Sequence, residues 1–183
     1  MKINCRVCEF ILLLIFITGI ISCNKIPGNE NKNNIGQKIS VINPDSFASI
    51  IKKRNQKVLF VNVWATWCIP CIEEFPELIK LNEKYSKKDV DIITLNINLL
   101  SEMDSKVIPF LKKNKNTIPV FMAENDNIDD LINLLDKNWS GAVPVSFVFN
   151  KRGQMFSSVF GKKDYVFFSS LLDSVFSIGQ NIK

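Results

Sequence analysis

An apolar run of seven residues that leads directly into two closely spaced cysteines constrains the fold of this chain more than any other feature. Residues 58–64 are apolar except for Asn62, which is typical of a strand buried on both faces of a sheet. Cys68 and Cys71 follow, and apolar residues at helical spacing predict a helix over residues 70–85. The segment therefore predicts a buried strand that turns into a helix carrying a C-x-x-C at its N-terminus.

The predicted position of Cys68 suits thiol chemistry. Free N–H groups and the positive end of the helix dipole stabilise a thiolate, which is the attacking species in thiol–disulfide exchange. Cys71 lies one helical turn later on the same face, close enough to resolve a mixed disulfide. Three other interpretations stay open: a structural disulfide that closes a very short loop, half of a zinc site, and two buried inert thiols.

The composition removes several competing chemistries. The chain has no histidine, so it lacks the imidazole base of Ser–His–Asp and Cys–His systems and the imidazole ligand of common zinc and copper sites. We predict no metal and no cofactor, because the two sulfurs of a dithiol carry the electrons. The net charge is +5 without a block of five like charges, so we interpret the lysine pairs as solvated helix ends and predict no nucleic-acid partner.

The N-terminal residues are typical of a targeting signal. Lys2 and Arg6 precede an apolar stretch over residues 10–21, which is too short for an ordinary transmembrane span. The stretch ends with Ser22-Cys23 and resembles a bacterial lipobox, in which the cysteine is diacylated and becomes the mature N-terminus. The alternatives are a signal anchor and an ordinary signal peptide.

These signals divide the chain into three parts. We predict a lipoprotein signal peptide over residues 1–22, a lipidated Cys23 with a polar flexible tether over residues 23–37, and one domain over residues 38–183. Cys5 and Cys8 would be removed with the signal peptide, so two of the five cysteines remain as a thiol pair. The predicted location is the bacterial cell envelope, with the domain anchored to a membrane and facing the periplasm.

Strand and helix patterns alternate along the domain. Strands are predicted over residues 39–42, 58–64, 90–97, 118–122, 145–149 and 155–160. Helices are predicted over residues 43–54, 70–85, 107–113, 128–135 and 164–178. This alternation predicts an α/β fold with an open, mostly parallel sheet that is covered by helices on both faces, and the closing hairpin makes the sheet mixed.

The motif around the cysteines resembles a known family. Asn-Val-Trp-Ala-Thr-Trp-Cys-Ile-Pro-Cys over residues 62–71, followed by Glu74-Phe75-Pro76, is similar to the TlpA/ResA-type thiol–disulfide oxidoreductases of the thioredoxin superfamily. The resemblance covers about residues 38–180 and implies a thioredoxin-like fold with a helix–strand–helix insertion over residues 99–139. It also implies that Cys68 attacks a substrate disulfide and that Cys71 resolves the mixed disulfide.

The resemblance further implies a substrate-binding surface. A cis-proline opposite the cysteines belongs to the family pattern, and Pro144 within residues 141–147 fits it; the alternative is an ordinary trans proline that enters a strand. In the cis form, the backbone of Val143 would pair with a substrate strand. Trp67, Ile69 and Pro70 are the other predicted contacts with the substrate.

One position departs from the pattern of cytoplasmic thioredoxins. Those proteins carry a buried Asp where this chain has Asn62, and an amide cannot take a proton from Cys71. The resemblance makes Glu74 the replacement acid–base candidate, provided that partial burial raises its pKa toward neutrality. The alternative is that Glu74 is a solvated helix residue, as we expect for Glu73.

The residues between the cysteines bear on the direction of electron flow. The side chains of Ile69 and Pro70 offer Cys68 no hydrogen bond and no charge, so we predict a reductant near the thioredoxin end of the scale, about −270 mV. The implied partners are disulfide-containing proteins, with apocytochrome c as one substrate, and a membrane thiol donor of the CcdA or DsbD type. The alternatives are a disulfide oxidase or isomerase, a copper-delivery module, and a non-catalytic binding lipoprotein.

Overall fold

A computed structural model describes residues 39–180 of the chain. The predicted signal peptide, the predicted lipidation of Cys23 and the predicted tether lie outside the described residues. Within residues 39–180, no helix is both long enough and apolar enough to cross a membrane.

Six strands and five α-helices make up the described domain. The strands are β1 Ile39–Ile42, β2 Val58–Trp64, β3 Val90–Asn96, β4 Val120–Ala123, β5 Val145–Phe149 and β6 Met155–Phe160. The helices are α1 Pro44–Lys52, α2 Ile69–Tyr85, α3 Ile108–Lys113, α4 Ile128–Leu135 and α5 Tyr165–Gln180. A 3-10 turn, Leu100–Glu102, and a π turn, Met103–Val107, lead into α3.

The strands form one mixed sheet in the order β1-β4-β3-β2-β5-β6. The first four strands in this order are parallel to one another, whereas β5 pairs antiparallel with both β2 and β6. The inserted strand β4 lies between β1 and β3, so the helix–strand–helix segment adds a strand inside the sheet. The predicted α/β, thioredoxin-like fold is confirmed.

Strand β2 lies at the centre of the domain, and all of its residues are buried. Its side chains alternate between the two faces of the sheet. Phe60 and Trp64 pack in one core with residues of α2 and α5, while Leu59, Val61 and Val63 pack in a second core with residues of α1 and α4. Because β2 ends in the middle of the sheet, the cysteine motif emerges at the centre of its carboxyl edge.

The boundaries differ from the sequence predictions by a few residues, for local reasons. Helix α1 ends at Lys52 rather than at Arg54, because Lys53 has a non-helical ψ of 64°. Asn55 and Gln56 then adopt left-handed φ values of 47° and 64°. Strand β4 begins two residues later than predicted. The carbonyl of Pro119 accepts a hydrogen bond from Thr94, but a proline has no N–H with which to continue the ladder.

Candidate active site

Cys68 and Cys71 form a disulfide at the N-terminus of α2, with their Cα atoms 5.2 Å apart. Cys68 is the N-cap residue, and its Sγ accepts a hydrogen bond of 3.2 Å from the backbone N–H of Cys71. Cys68 is 5% exposed and Cys71 is 1% exposed. In the reduced pair, this N–H and the helix dipole favour a thiolate on Cys68, the more accessible of the two.

Large apolar side chains next to the cysteines face the solvent. Trp67 is 59% exposed and Ile69 is 70% exposed, and Pro70 and Ile72 are exposed as well. Side chains of this kind are usually buried in a monomeric domain. Their exposure beside a reactive disulfide provides an apolar surface that a protein chain can contact.

The Val143–Pro144 peptide bond is cis, as predicted. Strand β5 begins directly after Pro144, and Val145 pairs with Val63 close to the end of β2. This pairing brings Pro144 and the half-buried Val143 to the same edge of the sheet as the cysteines. The contact of Val143, Pro144, Trp67, Ile69 and Pro70 with a substrate stays a prediction.

Glu74 is a buried residue of α2, only 1% exposed, rather than a solvated helix residue. Its Oε1 accepts a hydrogen bond of 2.8 Å from Asn62 Nδ2, and its Oε2 accepts one of 2.7 Å from the backbone N–H of Lys163. Burial raises the pKa of Glu74 from 4.5 to about 7, while the hydrogen bonds from Lys163 and Asn62 act in the opposite direction. The carboxyl can therefore gain or lose a proton near neutral pH.

Asn62 connects Glu74 to the strand that follows Pro144. Its Nδ2 donates to Glu74 Oε1 and also, over 3.0 Å, to Ser146 Oγ. Both amide hydrogens are thus used, whereas the buried Oδ1 of Asn62 has no hydrogen-bond partner among the described residues. The amide therefore acts as a donor toward the carboxyl and leaves Glu74 as the titrating group.

Asn98 holds the loop between β2 and Cys68. Its Oδ1 accepts from the backbone N–H of Thr66 over 2.8 Å, and its Nδ2 donates to Thr66 Oγ1 over 2.7 Å. The same Nδ2 donates to Glu102 Oε2 over 2.7 Å, and Asn96 Nδ2 donates to Asn98 Oδ1 over 3.1 Å. Asn98 is 1% exposed, so this network fixes the loop from inside the protein.

Sequence reasoning missed three contributors to the site. Asn98 and Ser146 are polar residues in or beside apolar strands, and that contrast is a signal that could have identified them. Lys163 contributes through its backbone N–H. Every residue except proline has this group, so the residue type gives no signal for the contact.

The other two tryptophans are buried, and Glu73 is exposed as expected from the sequence. Trp64 is fully buried, and Trp139 is 5% exposed, with its Nε1 donating to the carbonyl of Ala142 over 2.8 Å. Glu73 is exposed and pairs with Lys162 Nζ over 2.6 Å. Among residues 39–180, no group of three or more Cys, Asp or Glu side chains is arranged to hold a metal ion.

Comparison with known proteins gives a family match over most of the domain. A model of the Redoxin family matches residues 45–160. The matched region runs from the first turn of α1 to the end of β6 and includes both cysteines and Pro144.

Individual relatives agree with this match. Thiol-disulfide oxidoreductase ResA of Bacillus anthracis is 26% identical over 159 residues, which cover 84% of this chain and 87% of that protein. ResA of Bacillus cereus is 30% identical over 113 residues, and this alignment spans 62% of the chain and 60% of the relative. A thioredoxin-family thiol:disulfide interchange protein from Chlorobium tepidum superposes with a TM-score of 0.58 at 22% identity, covering 70% of this chain and 83% of that one; this likeness concerns the fold.

Proposed function

Because this chain belongs to the Redoxin family and is a TlpA/ResA-like thiol–disulfide oxidoreductase, we propose that it reduces disulfides of extracytoplasmic proteins while a lipid on Cys23 holds it to a membrane. The observation that carries the proposal is the Cys68–Cys71 disulfide at the N-terminus of α2. It is an oxidised dithiol in the position where a helix end activates the more accessible sulfur, that of Cys68.

The reaction transfers two electrons from the dithiol to a substrate disulfide. The thiolate of Cys68 attacks one substrate sulfur, so that a mixed disulfide forms and the other substrate sulfur leaves as a thiolate. The thiolate of Cys71 then attacks Cys68 Sγ and releases the second substrate thiolate. The substrate is reduced to two thiols, and the Cys68–Cys71 disulfide closes.

In this proposal, Glu74 accepts the proton of Cys71. Cys71 is almost fully buried, and burial in apolar surroundings disfavours a thiolate, so a nearby base is needed. Glu74 lies one turn further along α2, and its pKa of about 7 suits proton transfer at neutral pH. Asn62 can only donate to that carboxyl, which supports Glu74 rather than Asn62 as the base.

The proposed direction is reduction of the substrate. Strong oxidants of this fold owe their potential to heavy stabilisation of the reduced thiolate. Here the residues between the cysteines add no polar side chain, and the described contact to Cys68 Sγ is one backbone N–H. We therefore expect a potential near about −270 mV.

The proposed partners are a membrane thiol donor of the CcdA or DsbD type and disulfide-containing proteins, among them apocytochrome c. The donor follows from the chemistry, because the oxidised pair must be reduced again after each turnover. The lipobox-like Ser22-Cys23 supports the anchor. Acyl chains on Cys23 would keep the domain at the surface where such a donor is located.

The experiment that tests the proposal is a measurement of the Cys68–Cys71 reduction potential in thiol redox buffers, with the free thiols trapped by alkylation. A potential well below about −220 mV supports a reductant. A potential above about −180 mV contradicts it and favours a disulfide oxidase or isomerase. The variant Cys68→Ser, which cannot form the pair, gives the background of the trapping reaction.

A further inference from the structure

Three groups of lysines lie where helices end. Lys52 is the last residue of α1, and Lys53 follows it. Lys112 and Lys113 close α3, and Lys115 follows two residues later. Lys87 and Lys88 lie just after α2. All seven side chains are exposed, and we call them together the lysine pole.

The fold brings these separate segments to one end of the molecule. Each of the three helices connects two parallel strands and therefore runs back to the starting edge of the sheet. The β5–β6 turn packs against the end of α1, since a Cβ on Gly153 would lie 2.6 Å from the carbonyl oxygen of Ile51. Lys151 of that turn pairs with Asp89 over 3.7 Å. Elsewhere at this end, Asn82 of α2 donates a hydrogen bond of 3.2 Å to Thr117, which joins α2 to the segment after α3.

The opposite end of the domain, where the cysteines lie, carries the complementary charge. Asp45 lies in the first turn of α1, and Asp129 and Asp130 lie in the first turn of α4. Asp164 is exposed just before α5. Lys162 and Lys163 lie at this end too, and Lys162 pairs with Glu73 near the start of α2, so the aspartates carry the unpaired acidic charge among the described residues. Because the helices start at the catalytic end and finish at the other, the domain has a basic end and an acidic end.

The chain enters the described domain at the basic end. Strand β1 is parallel to β4, so Ile39 lies at the edge from which the parallel strands start, beside the lysine pole. Residues 24–38 join Ile39 to Cys23. A lipid on Cys23 would therefore be tethered to the domain on the side of the lysine pole rather than on the catalytic side.

We propose that the lysine pole docks on anionic phospholipid headgroups of the membrane that holds the anchor, with Cys68 and Cys71 directed away from that membrane. This inference rests on the lipid anchor of the proposed function. An anionic bilayer attracts clustered lysines, and the attraction weakens when salt shortens the Debye length from about 10 Å at 0.1 M to about 3 Å at 1 M. The acidic catalytic end is repelled by the same surface, so both charges orient the domain in the same sense.

The test compares the reduction of the same disulfide in solution and at the membrane surface. The full lipidated chain is reconstituted in vesicles of phosphatidylcholine, with or without phosphatidylglycerol, and is reduced. It then reacts either with a soluble pyridyl disulfide or with the same group linked to phosphatidylethanolamine, and the released pyridine-2-thione is measured. The measured quantity is the rate with the lipid-linked disulfide divided by the rate with the soluble disulfide. At low salt, we expect phosphatidylglycerol to lower this ratio about tenfold. The decrease should disappear in 1 M salt.

Two matched variants identify the lysines responsible. Lys52, Lys53, Lys112 and Lys113 show no ion pair among the described residues. The quadruple change K52E/K53E/K112E/K113E should remove the tenfold effect, whereas K52R/K53R/K112R/K113R should retain it. The soluble rate, which reports an intact site, should stay the same in both.

Equal ratios on the two kinds of vesicle would overturn the docking proposal, as would a full effect in the glutamate variant. Failure of the anchor has a different signature, because the chain would then leave both kinds of vesicle in 1 M salt. In that case, low-salt flotation with anionic but not with neutral vesicles tests the lysine pole by itself. Failure of the thiol chemistry is distinguished by loss of the soluble reaction.

Discussion

Asn62 donates a hydrogen bond of 2.8 Å to Glu74 and thereby joins the centre of β2 to the helix that carries the cysteines. The carboxyl is buried, and its pKa is raised to about 7. A group with these properties can move protons at neutral pH, and it also makes the stability of the fold depend on pH. Both consequences can be measured separately.

The change Glu74→Gln should slow the reduction of a substrate disulfide by about 100-fold, a typical contribution of a general base. In the parent, the single-turnover rate should rise with pH through about 7 as Glu74 ionises, and this inflection should be absent in the variant. Stopped-flow rates between about pH 5 and 9 provide the measurement. Glu73→Gln is the control, because Glu73 is exposed, and an equal loss in that variant would exclude a specific role for Glu74.

The same carboxyl should make the oxidised protein less stable as the pH rises. The folded-state pKa of Glu74 lies above its ordinary value of 4.5, so the folded state binds the proton more tightly than the unfolded state does. Its contribution is complete below about pH 4.5 and is lost as the pH rises through about 7, in total about 3 kcal/mol. Urea unfolding of the parent and of Glu74→Gln over this range measures the difference, and a constant difference would contradict the prediction.

The change Asn62→Asp should place two carboxyls in direct contact. Two such groups share one proton near neutral pH, because their joint ionisation is costly in a buried site. We expect the oxidised variant to be at least about 2 kcal/mol less stable than the parent near pH 8 and closer to it near pH 5. Asn62→Ala is the comparison, since it removes the hydrogen bond without adding a charge and should show a weaker dependence on pH.

The change Asn98→Ala should destabilise the fold by about 2–3 kcal/mol, because it leaves the N–H and the hydroxyl of Thr66 without their buried partner. Urea unfolding measures this loss. Asn133→Ala is the control, because Asn133 is an exposed residue of α4, and it should change stability by less than about 0.5 kcal/mol. Similar losses in the two variants would argue against a special role for the network.

The change Trp67→Ala should impair the recognition of protein substrates more than the chemistry. Trp67 is 59% exposed beside Cys68, so its removal should leave stability within about 0.5 kcal/mol. We expect kcat/KM for a disulfide protein to fall about tenfold, as for the loss of an aromatic contact residue, while the rate with oxidised glutathione stays the same. Val41→Ala, which removes an exposed apolar group on β1, should affect neither substrate.

The local part of the site was predictable from the sequence, whereas the long-range part was not. The strand β2, the cysteine pair and the start of α2 follow one another along the chain, and Pro144 stands directly before an apolar strand. The burial of Glu74 depends instead on contacts with Asn62, 12 positions away, and with Lys163, 89 positions away. A single sequence does not show how α2 is positioned against β2 and against the turn after β6, and this positioning makes the contacts.

The lysines illustrate the same limit at the surface. Lys52-Lys53 and Lys87-Lys88 were correctly interpreted as helix ends, because basic residues suit the last turn of a helix. Lys162-Lys163 instead precedes the start of α5. That three such ends converge on one face follows from the parallel order of the strands. A charge pattern that is scattered along the chain thus becomes a two-ended distribution only in the folded domain.

The hydrogen bond from Lys163 to Glu74 also has a consequence for biogenesis. During synthesis from the N-terminus, Cys68 and Cys71 are made well before the turn after β6. Until that turn packs against α2, the carboxyl of Glu74 lacks one of its two donors and part of its cover. The newly made protein therefore has its cysteine motif early, but it acquires the complete surroundings of the Glu74 carboxyl only when its last strand and helix are in place.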